Sequence, residues 1–212
     1  MQKIIPILFL FLLFLTCYFI YYLTEDRVVD ITAIGDSTIY NPYLKNNINY
    51  DFVNSDYDIN DLINTIEYNK ELKINNRSIS IHQLLNETDI LLISIGMNDI
   101  YYKLDNDPKE IYTYLNNLID KYDHLLSLIS KYDYKQVVIL NYYSIYPEKT
   151  DLFTYTNYKL NKLAIKYHYT YLDIAKILSN NPYYYLKNNQ FYLNNQGYYQ
   201  IFNLIVENLK KS

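Results

Sequence analysis

Glycine is so rare in this chain that the positions of its few glycines constrain the fold. The 212 residues include only three, whereas average usage of about 7% would give about fifteen. Gly35 and Gly96 each directly follow a short apolar run, and Gly197 opens the last amphipathic segment. Because glycine permits backbone turns that other residues resist, these positions predict two sharp turns at strand ends and one helix start.

Short apolar runs alternate with longer helical patterns over most of the chain. The predicted strands are Val28–Ile34, Tyr50–Val53, Ile90–Ile95, Val137–Leu140 and Tyr169–Leu172. The predicted helices are Asp58–Glu67, Ile81–Leu85, Asp107–Ser130, Asp151–Tyr167 and Gln196–Lys210. Such alternation is typical of a parallel sheet covered by helices on both faces. We therefore predict an α/β fold with a five-stranded parallel sheet, whose active site lies at the carboxyl ends of the strands.

The amino-terminal segment has a different character from the rest. Ile4–Leu23 carries no charge over about 20 residues, which is long enough to cross a bilayer as a helix. Lys3 precedes the segment and acidic residues follow it, so the positive-inside rule predicts a cytoplasmic amino terminus and an extracytoplasmic carboxy-terminal domain. We predict a single-pass membrane anchor over residues 1–24 and one domain over residues 25–212.

Two cleaved leaders are alternatives to this anchor. A secretory signal peptide has a shorter apolar core and a small-residue cleavage site, and neither is present. A lipoprotein signal needs a small residue before its cysteine, but Thr16 precedes Cys17 and a further apolar stretch follows. The sequence therefore favours an uncleaved anchor.

Charge and cysteine content exclude several classes of function. The net charge is −4 and the sequence contains two arginines, which argues against a nucleic-acid partner because such surfaces need a dense basic face. A single cysteine forms neither an internal disulfide nor a cysteine zinc site. Half of the residues are apolar, so the chain has enough hydrophobic material to fold.

Three short motifs contain the glycines, each in the strand or helix context described above. They are Gly35-Asp36-Ser37, Gly96-Met97-Asn98-Asp99, and Leu193-Asn194 followed by Gly197-Tyr198. In order and spacing, over most of residues 28–210, they resemble the sequence blocks of the SGNH/GDSL hydrolase family. The resemblance implies a flavodoxin-like three-layer fold. It also implies an esterase, lipase or carbohydrate O-deacetylase that works through Ser and His with Asp and needs no metal or cofactor.

The resemblance also implies roles for individual residues. Ser37 matches the nucleophile, and the Ser37 N–H and the Asn98 side chain match donors of the oxyanion hole. In the family, a glycine N–H of the second block is another donor, and Asp56 stands at that position here. Aspartate keeps the N–H, but its carboxylate lies near the place where negative charge would develop, which is unfavourable for catalysis.

The last block departs from the family pattern. Tyr192 stands where the family has its His, and Asn189 stands where it has its Asp. A serine hydroxyl is a poor nucleophile without an adjacent base, and a tyrosine side chain, with a reference pKa of about 10, is rarely ionised at neutral pH. None of the other histidines, His82, His124 and His168, is predicted at the carboxyl edge of the sheet.

Two functional interpretations follow. In the first, the protein is a pseudoenzyme or very weak esterase that binds an acylated glycan or lipid, or a partner, in the old cleft. In the second, it is an active serine esterase or O-deacetylase on envelope glycan or lipid esters, with a non-standard base. Tyr183–Tyr185 and Tyr142-Tyr143 lie near predicted strand ends, where their rings could either stack on sugars or pack in the core.

Overall fold

The computed structural model describes residues 29–44, 48–74, 77–105, 107–186 and 189–210. The predicted membrane segment, Ile4–Leu23, lies outside these ranges. Within them, no helix combines the length and the apolar character needed to cross a bilayer.

Five parallel strands form the central sheet. The strands of the described residues are β1 (Ile31–Gly35), β2 (Tyr50–Val53), β3 (Glu71–Ile74), β4 (Arg77–Ser80), β5 (Ile90–Ser94), β6 (Gln136–Leu140), β7 (Thr170–Leu172), β8 (Tyr185–Leu186) and β9 (Asn189–Leu193). The order across the sheet is β2-β1-β5-β6-β7, and every neighbouring pair is parallel. The predicted five-stranded parallel sheet is thus confirmed, with the strand order of flavodoxin-like folds.

The three middle strands are buried on both faces, as their continuous apolar sequences predict. β1, β5 and β6 each begin with a half-buried residue and continue with four buried ones. Strands covered on both faces lose the alternation of polar and apolar residues that a half-exposed strand shows. The hydrophobic core therefore lies on both sides of the sheet.

The five predicted helices are present to within one or two residues of their predicted bounds, and the described residues also form two short helices, at 97–101 and 175–178, that were not predicted. They are α1 (Ile59–Glu67), α2 (Ile81–Glu87), α3 (Met97–Tyr101), α4 (Pro108–Ile129), α5 (Thr150–Lys166), α6 (Ala175–Leu178) and α7 (Asn195–Leu209). Asp58 caps α1 by accepting a hydrogen bond from the Asp61 N–H at 3.0 Å, and Asp107 caps α4 by accepting from the Lys109 N–H at 2.9 Å. These side chains satisfy N–H groups that have no partner inside the helix.

The helices form layers on either side of the sheet. α1 packs on α4 and α4 packs on α5. The chain moves in one direction across the sheet from β2 to β7, and right-handed crossovers then place these three helices on one face. From β1 to β2 the chain moves in the opposite direction across the sheet. The segment after β1 and the terminal helix α7 therefore cover the other face, where the Tyr43 ring contacts Tyr199.

Two antiparallel hairpins were not predicted from the sequence. β3 pairs with β4 and β8 pairs with β9. β3 and β4 have four residues each and β8 has two, which is too short for a clear alternating pattern. The second hairpin bears on function because it contains Asn189 and Tyr192, which therefore belong to a strand.

Candidate active site

Gly35 ends β1 with a turn that only glycine accommodates. Its φ is +143°, and a Cβ atom there would overlap the carbonyl oxygen of Ser94 on the neighbouring strand. The next residue, Asp36, donates its backbone N–H to that same Ser94 oxygen at 2.8 Å. The turn therefore crosses closely over β5 and delivers Ser37 to the carboxyl edge of the sheet. β1 and β5 lie at the point where the strand order reverses, the usual ligand position in such sheets.

Asp36 joins the two turns that carry the predicted site residues. Its side chain is fully buried. One carboxylate oxygen accepts from the Thr38 N–H at 3.0 Å, and the other accepts from the Met97 N–H at 3.0 Å. Burial raises the pKa of Asp36 to about 6, against the lowering effect of these hydrogen bonds. The carboxylate thus fixes the turn after β1 to the start of α3.

Ser37 is half-buried at this edge. Within the described part of the chain, its hydroxyl and its N–H have no hydrogen-bond partner. Its carbonyl oxygen accepts from the Tyr198 hydroxyl at 3.2 Å, which docks the first turn of α7 on the Ser37 turn. Burial, followed by the nearby Asp36 and the Tyr192 and Tyr40 side chains, raises the pKa of Tyr198 to about 12. Tyr198 is therefore a neutral hydroxyl donor.

Gly96 forms the second turn, between β5 and α3. Its φ is +103°, and a Cβ atom would lie 2.6 Å from the hydroxyl of Tyr142. The buried Tyr142 donates that hydroxyl to the carbonyl oxygen of Ile95 at 2.9 Å. Tyr142 thus occupies the space that a side chain at position 96 would need.

The two other predicted oxyanion donors, the Asn98 side chain and the Asp56 N–H, donate hydrogen bonds to other groups of the protein. The Asn98 amide nitrogen donates to the carbonyl oxygens of Ser55 at 2.7 Å and Tyr57 at 2.9 Å, which uses both of its hydrogens. The Asp56 N–H donates to the side-chain oxygen of Asn54 at 3.0 Å. The structure thus brings Asn98 and Asp56 together in one loop network, while the Ser37 N–H has no acceptor among the described residues.

Asp99 has a positioning role that the sequence did not reveal. It is buried, and one carboxylate oxygen accepts from the Ile59 N–H at 3.0 Å, so it caps α1 from outside that helix. The Tyr114 hydroxyl donates to the other oxygen at 3.2 Å. Burial raises the pKa of Asp99 above its ordinary value. The only sign of this role in the sequence is that Asp99 directly follows Asn98, because its partner Ile59 lies 40 residues away in the chain.

The last block lies on β9 and the start of α7. Asn189 begins β9, but its side chain is outside the described part of the structure. Tyr192 is half-buried and lies within electrostatic range of Tyr198. Asn194 caps α7, since its side-chain oxygen accepts from the Gln196 N–H at 2.9 Å and the Gly197 N–H at 3.0 Å. Through Tyr198, the last block therefore reaches the Ser37 turn.

All three histidines of the sequence are described, and none lies at this edge. His82 hydrogen-bonds to the Ile66 carbonyl oxygen at 2.7 Å, and His124 pairs with Glu67 at 2.8 Å. Ile66 and Glu67 end α1, which starts at the carboxyl edge, so both histidines lie at the amino edge of the sheet. His168 lies just before the amino end of β7. In the described ranges, no group of three or more His, Cys, Asp and Glu side chains could hold a metal ion.

The tyrosines near the strand ends separate into core and surface residues. Tyr142, Tyr143 and Tyr185 are at most 8% exposed, and the Tyr143 and Tyr185 rings stack with centroids 5.8 Å apart. Tyr183 is 67% exposed, and its ring meets the half-buried Tyr184 edge to face. Core packing is therefore the correct interpretation for the first three, and only Tyr183 and Tyr184 reach the surface.

Solved structures show what this architecture is similar to, although no family model and no curated protein matches the sequence. A lipase from a goat rumen metagenome is 16% identical with a TM-score of 0.66, and the match covers 85% of this chain and 97% of that chain. A catalytic mutant of an acetylxylan esterase from Geobacillus stearothermophilus, with a serine replaced by alanine, is 13% identical with a TM-score of 0.63, covering 85% and 93%.

A second catalytic mutant of the same Geobacillus stearothermophilus acetylxylan esterase has a histidine replaced by alanine. It is 14% identical, with a TM-score of 0.60 and the same coverage of 85% and 93%. At these identities the likeness shows the fold alone. The chain therefore shares the α/β fold of these solved esterase and lipase structures, in agreement with the fold that its three motifs predicted.

Proposed function

We propose that this protein is an SGNH-type ester-hydrolase relative whose cleft is built on Ser37 and which has lost its catalytic base. It binds an acylated glycan or lipid and hydrolyses it very slowly or not at all. Ser37 supports the cleft, because this half-buried residue lies at the edge where α/β folds hold their ligands and its hydroxyl has no hydrogen-bond partner among the described residues.

The absence of a histidine near Ser37 carries this proposal. Ester hydrolysis begins when the serine oxygen bonds to the acyl carbon while its proton moves to a base. His82, His124 and His168 lie at the opposite edge of the sheet. Asp36 is adjacent in sequence, but its two carboxylate oxygens already accept backbone N–H groups. Neither a histidine nor a free carboxylate oxygen of Asp36 is therefore available to take the proton of Ser37.

The cost of this loss is large. In another serine hydrolase, loss of the triad histidine lowers kcat by about a millionfold, and about 10³ to 10⁴ over water remains from the oxyanion hole and binding. If the rate loss is of the same size here, the protein still binds an acyl group in the cleft but hydrolyses esters very slowly. Tyr192, in the position of the family histidine, has a hydroxyl group that can hydrogen-bond a ligand.

An active esterase or O-deacetylase is the second candidate. The similarity to a lipase and an acetylxylan esterase favours it, and its base would then be a group outside the triad pattern, in the protein or the substrate. In both cases we propose that residues 1–24 anchor the domain in a membrane with the cleft on the extracytoplasmic side. The ligand would then be an ester of an envelope glycan or a lipid.

Serine labelling separates the two candidates. The full chain, purified in a mild detergent, is treated with a fluorophosphonate probe beside Ser37→Ala. The base-free cleft predicts labelling no faster than that of Ser37→Ala and no measurable turnover of short-chain aryl esters. Rapid labelling that depends on Ser37, together with ester turnover, would show an active enzyme and refute the pseudoenzyme.

Restoring the triad is the complementary test. Tyr192→His with Asn189→Asp is expected to raise labelling of Ser37 by at least about a thousandfold, a conservative part of the range given above. The matched control is the same pair of substitutions with Ser37→Ala, which must stay unlabelled. A folded double variant that stays inert would mean that the cleft itself has diverged from an esterase site.

A further inference from the structure

The β2–α1 loop, residues 54–58, lies against the predicted oxyanion hole. The Asn54 N–H donates to the carbonyl oxygen of Gly35 at 3.1 Å, which fixes the loop beside the turn that carries Ser37. The Tyr57 N–H donates to the Asn54 carbonyl oxygen at 3.2 Å, so the loop turns back on itself. Its backbone is thus held on both sides of Asp56.

Within this loop, the Asn54 side chain takes up the Asp56 N–H. Its oxygen accepts that N–H at 3.0 Å, although both residues are exposed. Because the Asp56 N–H is exposed, water could bond to it equally well, and the protein does not need the Asn54 side chain to satisfy it. The consequence is that the Asp56 N–H is directed at the Asn54 side chain instead of at an incoming ligand.

The same loop takes up the Asn98 amide. Both hydrogens of that amide go to loop carbonyl oxygens, those of Ser55 and Tyr57. The closed loop therefore uses two of the three predicted oxyanion donors at once. Only the Ser37 N–H remains without an acceptor among the described residues.

We propose that Asn54 is a positioning residue whose side chain keeps the Asp56 N–H from a bound oxyanion, in a loop whose Ser55 and Tyr57 carbonyl oxygens already engage the Asn98 amide. The inference depends on the proposed function in one respect only, which is that an acyl or phosphonyl group binds at Ser37, where it faces these donors. An anion at Ser37 has to break the Asn54 hydrogen bond before it can gain the Asp56 N–H. The chain thus carries a second obstacle to ester hydrolysis, independent of the missing base.

Asn54 is a suitable position to test because the rest of the loop has other anchors. The Phe52 and Tyr57 rings meet edge to face, with centroids 5.6 Å apart. The backbone N–H of Asn54 still bonds to Gly35 after truncation of the side chain. Asn54→Ala therefore removes one hydrogen bond and leaves the fold intact. Asn64→Ala is the matched control, since Asn64 is exposed on α1 and its side chain has no hydrogen bond within the described residues.

The experiment measures two quantities in the wild-type full chain and in these two variants. The first is the hydrogen-exchange rate of the Asp56 amide, followed by NMR. Loss of one hydrogen bond is expected to raise this rate about tenfold in Asn54→Ala. The second is the affinity for phenylphosphonate, a tetrahedral anion, followed at the amide signals of Asp56 and Asn98. Asn54→Ala is expected to bind it about tenfold more tightly than the wild type.

Phenylphosphonate binding needs no base, so the result is independent of whether Tyr192→His restores activity. Asn64→Ala must match the wild type in both quantities. Equal affinity of Asn54→Ala and the wild type would overturn the inference, even if Asp56 exchanged faster. Unchanged exchange would overturn it as well, because Asn54 would then not hold the Asp56 N–H.

Discussion

The buried carboxyl of Asp36 predicts an unusual pH dependence of stability. Most structural carboxyl groups have a lowered pKa and stabilise the folded protein at neutral pH. Asp36 behaves in the opposite way, because burial raises its pKa from 3.8 to about 6. The folded state therefore binds more protons than the unfolded state between these two values. The free energy of unfolding must fall as the pH rises through this window.

The size of the effect follows from the two pKa values. At about 1.4 kcal/mol for each pH unit, the interval from 3.8 to about 6 corresponds to about 3 kcal/mol. The stabilisation is fully present below 3.8 and is lost above about 6. Asp36→Asn abolishes the titration but also exchanges one acceptor oxygen for an NH₂ group, which adds an offset that does not depend on pH.

Urea unfolding of the full chain and of Asp36→Asn, from about pH 4 to about pH 7, isolates this contribution. We expect the difference in unfolding free energy between wild type and variant to decrease by about 2 kcal/mol over this range, because part of the full effect lies below pH 4. The other carboxyl groups are common to both proteins and cancel. A difference that stays constant within about 0.5 kcal/mol, given the error of extrapolation, would refute the argument. A carbon-13 NMR titration of the Asp36 carboxyl group then checks its pKa directly.

Three further substitutions test the positioning of the candidate site. Gly35→Ala places a Cβ against the Ser94 carbonyl at a φ of +143°, so we expect no cooperative thermal transition by circular dichroism, and a native melting curve would contradict the turn geometry. Asp99→Ala leaves the buried Ile59 N–H without its acceptor and should lower the unfolding free energy by about 1 to 3 kcal/mol in urea; a loss below about 0.5 kcal/mol would mean that water replaces the carboxylate. Tyr198→Phe removes the donor to the Ser37 carbonyl and should cost about 1 kcal/mol, and unchanged stability would show that this bond contributes nothing.

Local sequence signals were sufficient to predict most of the fold. The continuous apolar runs of β1, β5 and β6 indicated buried parallel strands, and the structure confirms them. Asp58, and Asp107 before Pro108, marked the starts of α1 and α4 correctly, because the physical basis of capping lies within three or four residues. The glycine positions marked turns for the same reason, since a backbone conformation belongs to a single residue.

The hydrogen bonding of the candidate site could not be predicted in this way. Asn98 donates to two backbone carbonyl oxygens about 40 residues away, and carbonyl groups are the same in every residue. The acceptor of the Asp56 N–H is a neighbouring side chain, Asn54, whose orientation depends on the loop backbone. The β8–β9 hairpin was missed because β8 contributes only two residues to it. The glycine motifs thus predicted that the turns after Gly35 and Gly96 lie at one edge of the sheet, while the hydrogen-bond acceptors of Asn98 and Asp56 could be identified only from the structure.

The contact between α7 and the Ser37 turn has a consequence for biosynthesis. Tyr198 reaches the Ser37 carbonyl across 161 residues, and the Asn41 side chain reaches the Tyr198 carbonyl across 157. The turn that carries Ser37 is among the first parts of the domain to leave the ribosome, and its support is among the last. A nascent chain, or one truncated before α7, therefore exposes an unsupported Ser37 turn. The cleft is completed only after α7 has been synthesised.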